Sequence, residues 1–260
     1  MGRYQGTAIF SDVDGTLMPE FRVIPQNNVA AINRYVSQGG LFALATGRGI
    51  STCRELVKKV SVNAPCILLN GALIYDYQIN EPIAVSQLPK DARRMIETVI
   101  KIRPELRAFV WGGENRYDVG ANTEQDSPYP VNYMPLNQIA EPWLKFVFKV
   151  QPKERLDFII WLESMQVKEV TITSSCEFFV EVIPQTVSKG WGVEHLITHL
   201  GLEREKVAVV GDYFNDYEML TLPGIRSFCP QNAHLEIKKL CQESLCAVED
   251  GCIADLIDRL

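Results

Sequence analysis

The stretch Asp12-Val13-Asp14-Gly15-Thr16-Leu17 constrains this chain more than any other. It follows a short apolar run, Thr7-Ala8-Ile9-Phe10, that reads as a buried strand. Two carboxylates one residue apart, at the C-terminal end of a central strand, stand where open α/β sheets bind their ligands. Gly15 lets the backbone turn sharply just after them. Such a pair is expensive to assemble, because like charges disfavour each other's ionisation unless a cation or a proton intervenes. Mg²⁺, which takes oxygen ligands and meets substrate phosphates through one or two carboxylates, would relieve the repulsion. An acidic turn that caps the next segment is the simpler alternative, and the motif by itself does not choose between the two.

At 260 residues the chain has room for one large domain or two modest ones. Its apolar fraction of 47% and charged fraction of 22% are those of an ordinary globular protein. A net charge of −6 argues against a nucleic-acid partner, whose phosphates call for a basic surface. A small phosphate can still be held by a few local donors and a metal. The opening residues, MGRYQGTAIF, run straight into a strand without the long apolar stretch of a signal peptide. Gly6 stands where a myristoylation signal needs Ser or Thr, and no segment approaches the length of a bilayer-spanning helix. The seven cysteines form no Cys-x-x-Cys pair, so they suggest neither a zinc site nor a disulfide framework. The expectation is a cytoplasmic protein with reduced thiols and no membrane partner; its oligomeric state is not readable.

Strand-like and helix-like segments alternate through the first eighty residues. Pro25 opens an amphipathic stretch with Val29, Ile32, Tyr35 and Val36 on one face, and Gly39-Gly40 closes it. Leu41–Ala45 is a continuous apolar run, typical of a strand buried on both faces, that stops at Thr46-Gly47-Arg48. A second helix is expected from about Ser51 to Val60, then a strand over Cys66–Leu69 that ends in Asn70-Gly71. The same grammar returns late in the chain. Val207–Val210 reads as a buried strand ending in Gly211-Asp212, flanked by helical patterns around Tyr217–Leu220, Ala233–Cys241 and Ile253–Leu260. Between Ser86 and Pro184 the character changes: helix-like Lys90–Ile102 and Lys153–Met165 mix with alternating strands at Arg107–Trp111, Val170–Thr173 and Phe178–Ile183. Gly120–Pro142 reads as a long loop. The fold class is therefore α/β: a doubly wound parallel sheet, Rossmann-like, formed by residues 1–85 and 186–260, interrupted by an inserted α/β cap over residues 86–185.

Four polar sites fall near strand ends of the inferred sheet: Asp12 with Asp14, Thr46 with Gly47, Lys189, and Asp212 with Asn215 and Asp216. Lys189 starts a helix, where a cation opposes the macrodipole, so an anion bound nearby would account for it. In chain order, DVDGTL, ATGR, a lysine and GDYFND resemble the motifs of the haloacid dehalogenase superfamily of phosphatases. Leu69-Asn70-Gly71-Ala72, Val187-Ser188-Lys189-Gly190, Asn232-Ala233 and Glu249-Asp250-Gly251 narrow the likeness to its Cof-type branch, which carries a large class IIB cap.

The resemblance implies a Mg²⁺-dependent phosphatase that acts on a small phosphorylated metabolite, a sugar phosphate by preference, through an aspartyl-phosphate. Asp12 would be the nucleophile and Asp14 the proton donor and acceptor. Val13, Thr46, Gly47, Lys189 and Asn215 would bind the phosphate. Asp12, Asp14 through its carbonyl, and Asp212 would hold the metal, with Asp216 either a ligand or a group orienting one. Asn70 and Gly71 would line the phosphate cavity. Arg48 is assigned to a surface ion pair outside the site. Trp111, Glu114, Arg116 and Tyr117 are the cap residues suited to sugar contact, with Trp111 better explained as a structural aromatic on a strand. His195 and His199, four residues apart, lack the intervening Glu of a zinc-binding helix. Two other readings stay open. One is a phosphomutase, which would need a second anion site in the cap from residues such as Arg93, Arg94, Arg103, Arg107 and Arg116; the other is a catalytically silent sensor of a phosphorylated ligand.

Overall fold

A run of apolar, β-branched segments too short for helices builds the centre of the molecule. The computed structural model describes residues 2–19, 23–119, 132–140 and 142–260. Strand β1 (Ala8–Ser11) is buried on both faces, and helix α1 (Gln26–Ser37) returns the chain to β2 (Leu41–Leu44). Helix α2 (Ile50–Val57) leads to β3 (Cys66–Leu68). That strand touches the parallel sheet through a single bridge, Ala45 to Ile67. It then turns back into an antiparallel hairpin with β4 (Leu73–Asp76) and β5 (Glu81–Val85). The sequence reading did not foresee this hairpin.

The next elements form a separate layer. Helix α3 (Lys90–Ile102) precedes β6 (Arg107–Gly112), β7 (Asn115–Asp118), β8 (Asn132–Tyr133) and β9 (Trp143–Lys149). Helix α4 (Arg155–Ser164), β10 (Val170–Cys176) and β11 (Phe179–Pro184) complete it. Their sheet runs β10-β11-β9-β6-β7-β8 and is antiparallel apart from the β7–β8 pair. Phe146, Phe148, Val180 and Val182 join Met95, Val99 and Phe158 of the helices in one apolar core. Because side chains alternate along a strand, Lys145, Val147, Glu181 and Ile183 lie on the opposite face. They are nevertheless buried, and Lys145 and Glu181 contact the Gly47 and Asn70 turns of the first layer. Of the loop expected over Gly120–Pro142, residues 120–131 and 141 lie outside the described residues; the remainder holds β8 and a single turn of helix at Leu136–Gln138.

The chain then re-enters the first layer with α5 (Lys189–Leu200), β12 (Val207–Val210), α6 (Tyr217–Leu220) and β13 (Arg226–Cys229). It ends with α7 (Leu235–Lys238), β14 (Glu243–Ser244) and α8 (Cys252–Asp258). The parallel sheet has the order β14-β13-β12-β1-β2, so strand order reverses between β1 and β12. Helix α1 packs on α8, and α5 on α6. The expected helix over Ala233–Cys241 shrinks to one turn. All seven cysteines are free thiols. Among the described residues no helix is long and apolar enough to cross a membrane.

Candidate active site

The crevice at the carboxyl ends of β1 and β12 is where a doubly wound sheet exposes unpaired backbone to a ligand, and the polar residues singled out above meet there. Val13 is wholly buried, which pins the turn after β1 and sets Asp12 and Asp14 on either side of it. Gly15, with φ +84°, crosses so close to Asp212 that a β-carbon on it would lie 2.5 Å from Oδ2. Thr16 donates its hydroxyl to Asp212 Oδ1 at 2.8 Å. The two strand ends are thus tied together directly beneath the acidic groups.

Lys189 occupies the centre. Its Nζ lies 2.6 Å from Asp12 Oδ1 and 2.6 Å from Asp216 Oδ1, and its side chain is inaccessible to solvent. The protein's own Asp12 and Asp216 carboxylates supply negative charge at this helix start. Burial opposes the ammonium charge, but the two carboxylates outweigh it and raise the Lys189 pKa above the usual lysine range. Asp216 is further fixed at Oδ2 by the amides of Asp212 at 2.9 Å and Tyr213 at 3.2 Å. Burial pushes the Asp12 carboxyl up to about 7, against the pull of Lys189 and with the push of Asp216. Burial and the neighbouring Asp12 and Asp216 raise Asp212 well above the carboxylate range.

Oxygens of Asp12, Asp212 and Asp216 lie within 4.8 Å of one another. Three carboxylates share one ammonium, so the cluster carries surplus negative charge in a buried place. Among the described residues Asp12 Oδ2 and Asp212 Oδ2 accept no hydrogen bond. A hard divalent cation fits this all-oxygen donor set. The amide N–H groups of Val13, Asp14 and Gly47 likewise donate to no protein acceptor among the described residues. Val13 is buried while Asp14 and Gly47 are half-buried, so these N–H groups are open to the oxygens of a ligand.

Thr46, also buried, accepts from the Arg48 amide at Oγ1 (3.2 Å), which keeps its own hydroxyl proton for another acceptor. The turn at Leu69, Asn70 and Gly71 holds three successive residues at positive φ, 52°, 57° and 96°. Strain of this kind persists only where surrounding bonds enforce it. Here Leu69 N–H donates to the Arg48 carbonyl and Asn70 N–H to that of Thr46, each at 3.0 Å. Asn215 donates to Asn70 Oδ1 at 3.3 Å, which joins the β12 loop to this turn.

Two features escaped the sequence reading. Arg48, expected at the surface, is largely buried and grips Asp14 with Nε–Oδ2 2.6 Å and Nη2–Oδ1 2.5 Å. The adjacent Thr46-Gly47 loop was its only signal. The second is a cap contribution. Lys145 reaches the Gly47 carbonyl at 3.1 Å and Glu181 Oε2 at 2.8 Å, and Asn70 donates to that same Oε2 at 2.5 Å. A lysine inside the apolar run Trp143-Leu144-Lys145-Phe146-Val147-Phe148 could have flagged it. Burial lowers the Lys145 pKa, and Glu181 restrains the shift. Trp111 stands beside this pair, whereas Glu114 lies outside it, exposed and 3.8 Å from Arg54. Arg116 lies over the Phe109 ring, 4.8 Å from its centre.

The profile of the haloacid dehalogenase-like hydrolases matches residues 9–257. The 5-amino-6-(5-phospho-D-ribitylamino)uracil phosphatase YcsE of Bacillus subtilis is 25% identical over 214 residues, 82% of this chain and 80% of that protein. A haloacid dehalogenase-like hydrolase from Bacteroides thetaiotaomicron superimposes with a TM-score of 0.86 at 20% identity, covering 98% of this chain and 99% of the other. A subclass IIB sugar phosphatase does so with a TM-score of 0.81 at 18% identity, covering 97% and 98%. The chain belongs to the haloacid dehalogenase-like hydrolases, in the Cof-type phosphatase branch with a subclass IIB cap.

Proposed function

We propose that this enzyme hydrolyses small phosphate monoesters, with sugar phosphates the favoured class, through a phosphoryl group carried on Asp12. The observation that carries the reading is the Lys189 bridge between Asp12 and Asp216 beside Asp212, at the strand reversal. Asp12 and Asp212 would hold Mg²⁺ together with the Asp14 carbonyl, and Asp216 orients Lys189 and the Asp212 backbone. The cation, when bound, neutralises charge on the transferring phosphoryl oxygens.

The protein's own groups supply the remainder. Lys189 fixes the Asp12 carboxylate for attack on phosphorus, which splits hydrolysis into two easier displacements. Asp14 would take up a proton once one arm of its Arg48 pair opens, give that proton to the departing alkoxide, and regain one from the water that attacks the intermediate. Phosphoryl transfer relies on positioning and on donors for the equatorial oxygens. The Thr46 hydroxyl, the Val13 and Gly47 amides, Lys189 and the Asn215 amide would be those donors. Asn70 and Gly71 shape the wall of the phosphate cavity. Residues 1–85 and 186–260 form the catalytic unit in this reading, and 86–185 the cap that closes over it and excludes water.

Four of the five arginines that a mutase would draw on for a second phosphate are engaged in ion pairs, and Arg116 lies over the Phe109 ring. Arg93 pairs with Glu97, Arg94 with Asp91, Arg103 with Glu105 and Arg107 with Asp118. Replacing Asp12 by Asn is expected to abolish Mg²⁺-dependent release of p-nitrophenolate from p-nitrophenyl phosphate while thermal unfolding stays cooperative. Turnover retained by that variant would sink the assignment of the nucleophile.

A further inference from the structure

The cap sheet turns one row of polar side chains toward the Thr46-Gly47 loop. Trp111 on β6 is paired directly opposite Lys145 on β9, and Glu181 on the next strand, β11, accepts from Lys145 at 2.8 Å. Ser175 on β10 donates to Glu181 Oε1 at 2.7 Å. Lys145 and Glu181 are only 2% and 3% exposed. A buried ion pair is a poor way to hold two layers together. Desolvation takes back most of its attraction, and well-packed apolar residues in its place are often as stable or more so. Layer packing therefore does not account for it, and its position does: both partners end on the phosphate loops, Lys145 on the Gly47 carbonyl and Glu181 on the Asn70 amide.

We propose that Lys145 and Glu181 are the specificity-determining pair of this site, reading the hydroxyls of a neutral, polyhydroxylated leaving group. The proposal rests on the phosphatase reading and adds to it which cap residues select the ester. A hydroxyl both donates and accepts. It can replace the Gly47 carbonyl on Lys145, or the Asn70 amide on Glu181, and leave no charged group without a partner. A hydrocarbon or aryl leaving group offers neither bond, so any Gly47 or Asn70 contact it displaced would go unreplaced beside a pair that still holds its own partner. An anionic leaving group meets the Glu181 carboxylate with only one ammonium, already matched, to offset it. Trp111 provides the apolar wall for the carbon skeleton. It packs on Gly49 so tightly that a β-carbon there would lie 2.8 Å from the indole, and its ring centre is 5.4 Å from Lys145 Nζ.

The test compares sorbitol 6-phosphate with phenyl phosphate in the full-length protein and in the double variant Lys145→Met/Glu181→Met, which removes both charges together and leaves neither unpaired. A wild-type preference in kcat/KM for sorbitol 6-phosphate is expected to fall by about 100-fold in the variant, a part of the ~10⁴–10⁵ by which a site built for a hydroxyl can reject its absence. A preference that survives within about threefold in a cooperatively melting variant overturns the proposal, as does a wild type with no preference. Calorimetry in an Asp12→Asn background separates this outcome from failure of the phosphatase reading. There, sorbitol 6-phosphate is expected to bind more tightly than inorganic phosphate only while the pair is intact. If neither ester is hydrolysed, the catalytic reading falls, and the loss or survival of that affinity lead still decides for or against the pair.

Discussion

Arg48 holds both oxygens of Asp14 in a fork of two parallel hydrogen bonds, 2.6 and 2.5 Å long, across the mouth of the site. A bidentate pair fixes direction as well as distance. The guanidinium therefore sets where the Asp14 carboxyl points before any substrate arrives. General acid–base catalysis contributes about 10²–10⁴-fold when the group is well placed, so Arg48→Met should forfeit part of this, about 10- to 100-fold in kcat/KM for an alkyl phosphate. For p-nitrophenyl phosphate, whose leaving group needs no proton, the loss should be several-fold smaller. Equal losses for the two esters would show that Arg48 serves binding or folding instead of proton transfer.

The acid cluster gives the protein a pH dependence with a definite sign. Burial raises the Asp12 carboxyl from 3.8 to about 7. A carboxyl raised on folding contributes stability that is whole below its unfolded value and is lost as pH climbs through the folded one. Three pH units at about 1.36 kcal/mol each put the loss at about 4 kcal/mol across pH 4 to 7. Mg²⁺ must displace that proton, so its affinity should rise over the same window. At a hundred times its dissociation constant it would stabilise by about 2.7 kcal/mol. Melting curves in EDTA and in Mg²⁺ at pH 5.5 and 8.0 check this: the Mg²⁺ shift should be larger at pH 8.0, and equal shifts would contradict the cluster as the metal site.

What could be read from the sequence was what lies on a single strand–loop–helix unit. Asp12 and Asp212 are placed by apolar runs that declare their own strands, and Lys189 by the helix it begins. Contacts that join distant segments leave no such mark in the sequence. Asn70 meets Glu181 111 residues away, and no periodicity encodes which cap face turns toward which loop. Arg48 was misplaced for a related reason: an arginine after a turn is ordinarily solvated, and only the fold of β1 against β2 brings Asp14 within its reach. The β4–β5 hairpin was overlooked because its outer strand is largely exposed and carries no clear alternation.

Gly71 lies at φ +96°, and a β-carbon on it would stand 2.3 Å from the Ser188 carbonyl oxygen. Ser188 caps α5 by accepting from Trp191 N–H at 3.1 Å, one residue before Lys189. Gly71→Ala therefore imposes an unfavourable backbone conformation and pushes the start of the helix that carries the central ammonium. Backbone strain and overpacking each cost about 1–3 kcal/mol, so urea unfolding should show a loss of about 2–4 kcal/mol, accompanied by reduced turnover. A loss below about 1 kcal/mol would mean that α5 is free to shift away from the turn.

Lys189 and Asp216 should prove strongly coupled in a double-mutant cycle. Lys189→Met removes the cation shared by two buried carboxylates, and breaking a buried pair by deleting one partner costs about 3–5 kcal/mol. That penalty is electrostatic, so it should shrink at pH 5, where Asp12 is protonated, and shrink again when Mg²⁺ supplies the missing charge. Adding Asp216→Asn takes away one uncompensated carboxylate and should return about 1–3 kcal/mol, the coupling expected of residues in one network. Activity should not return with it, since the fixed Asp12 carboxylate is still lost. Additive destabilisation at pH 8, with no recovery in the double variant, would mean that Lys189 stabilises the fold through its buried stem and not through the charge it shares between Asp12 and Asp216.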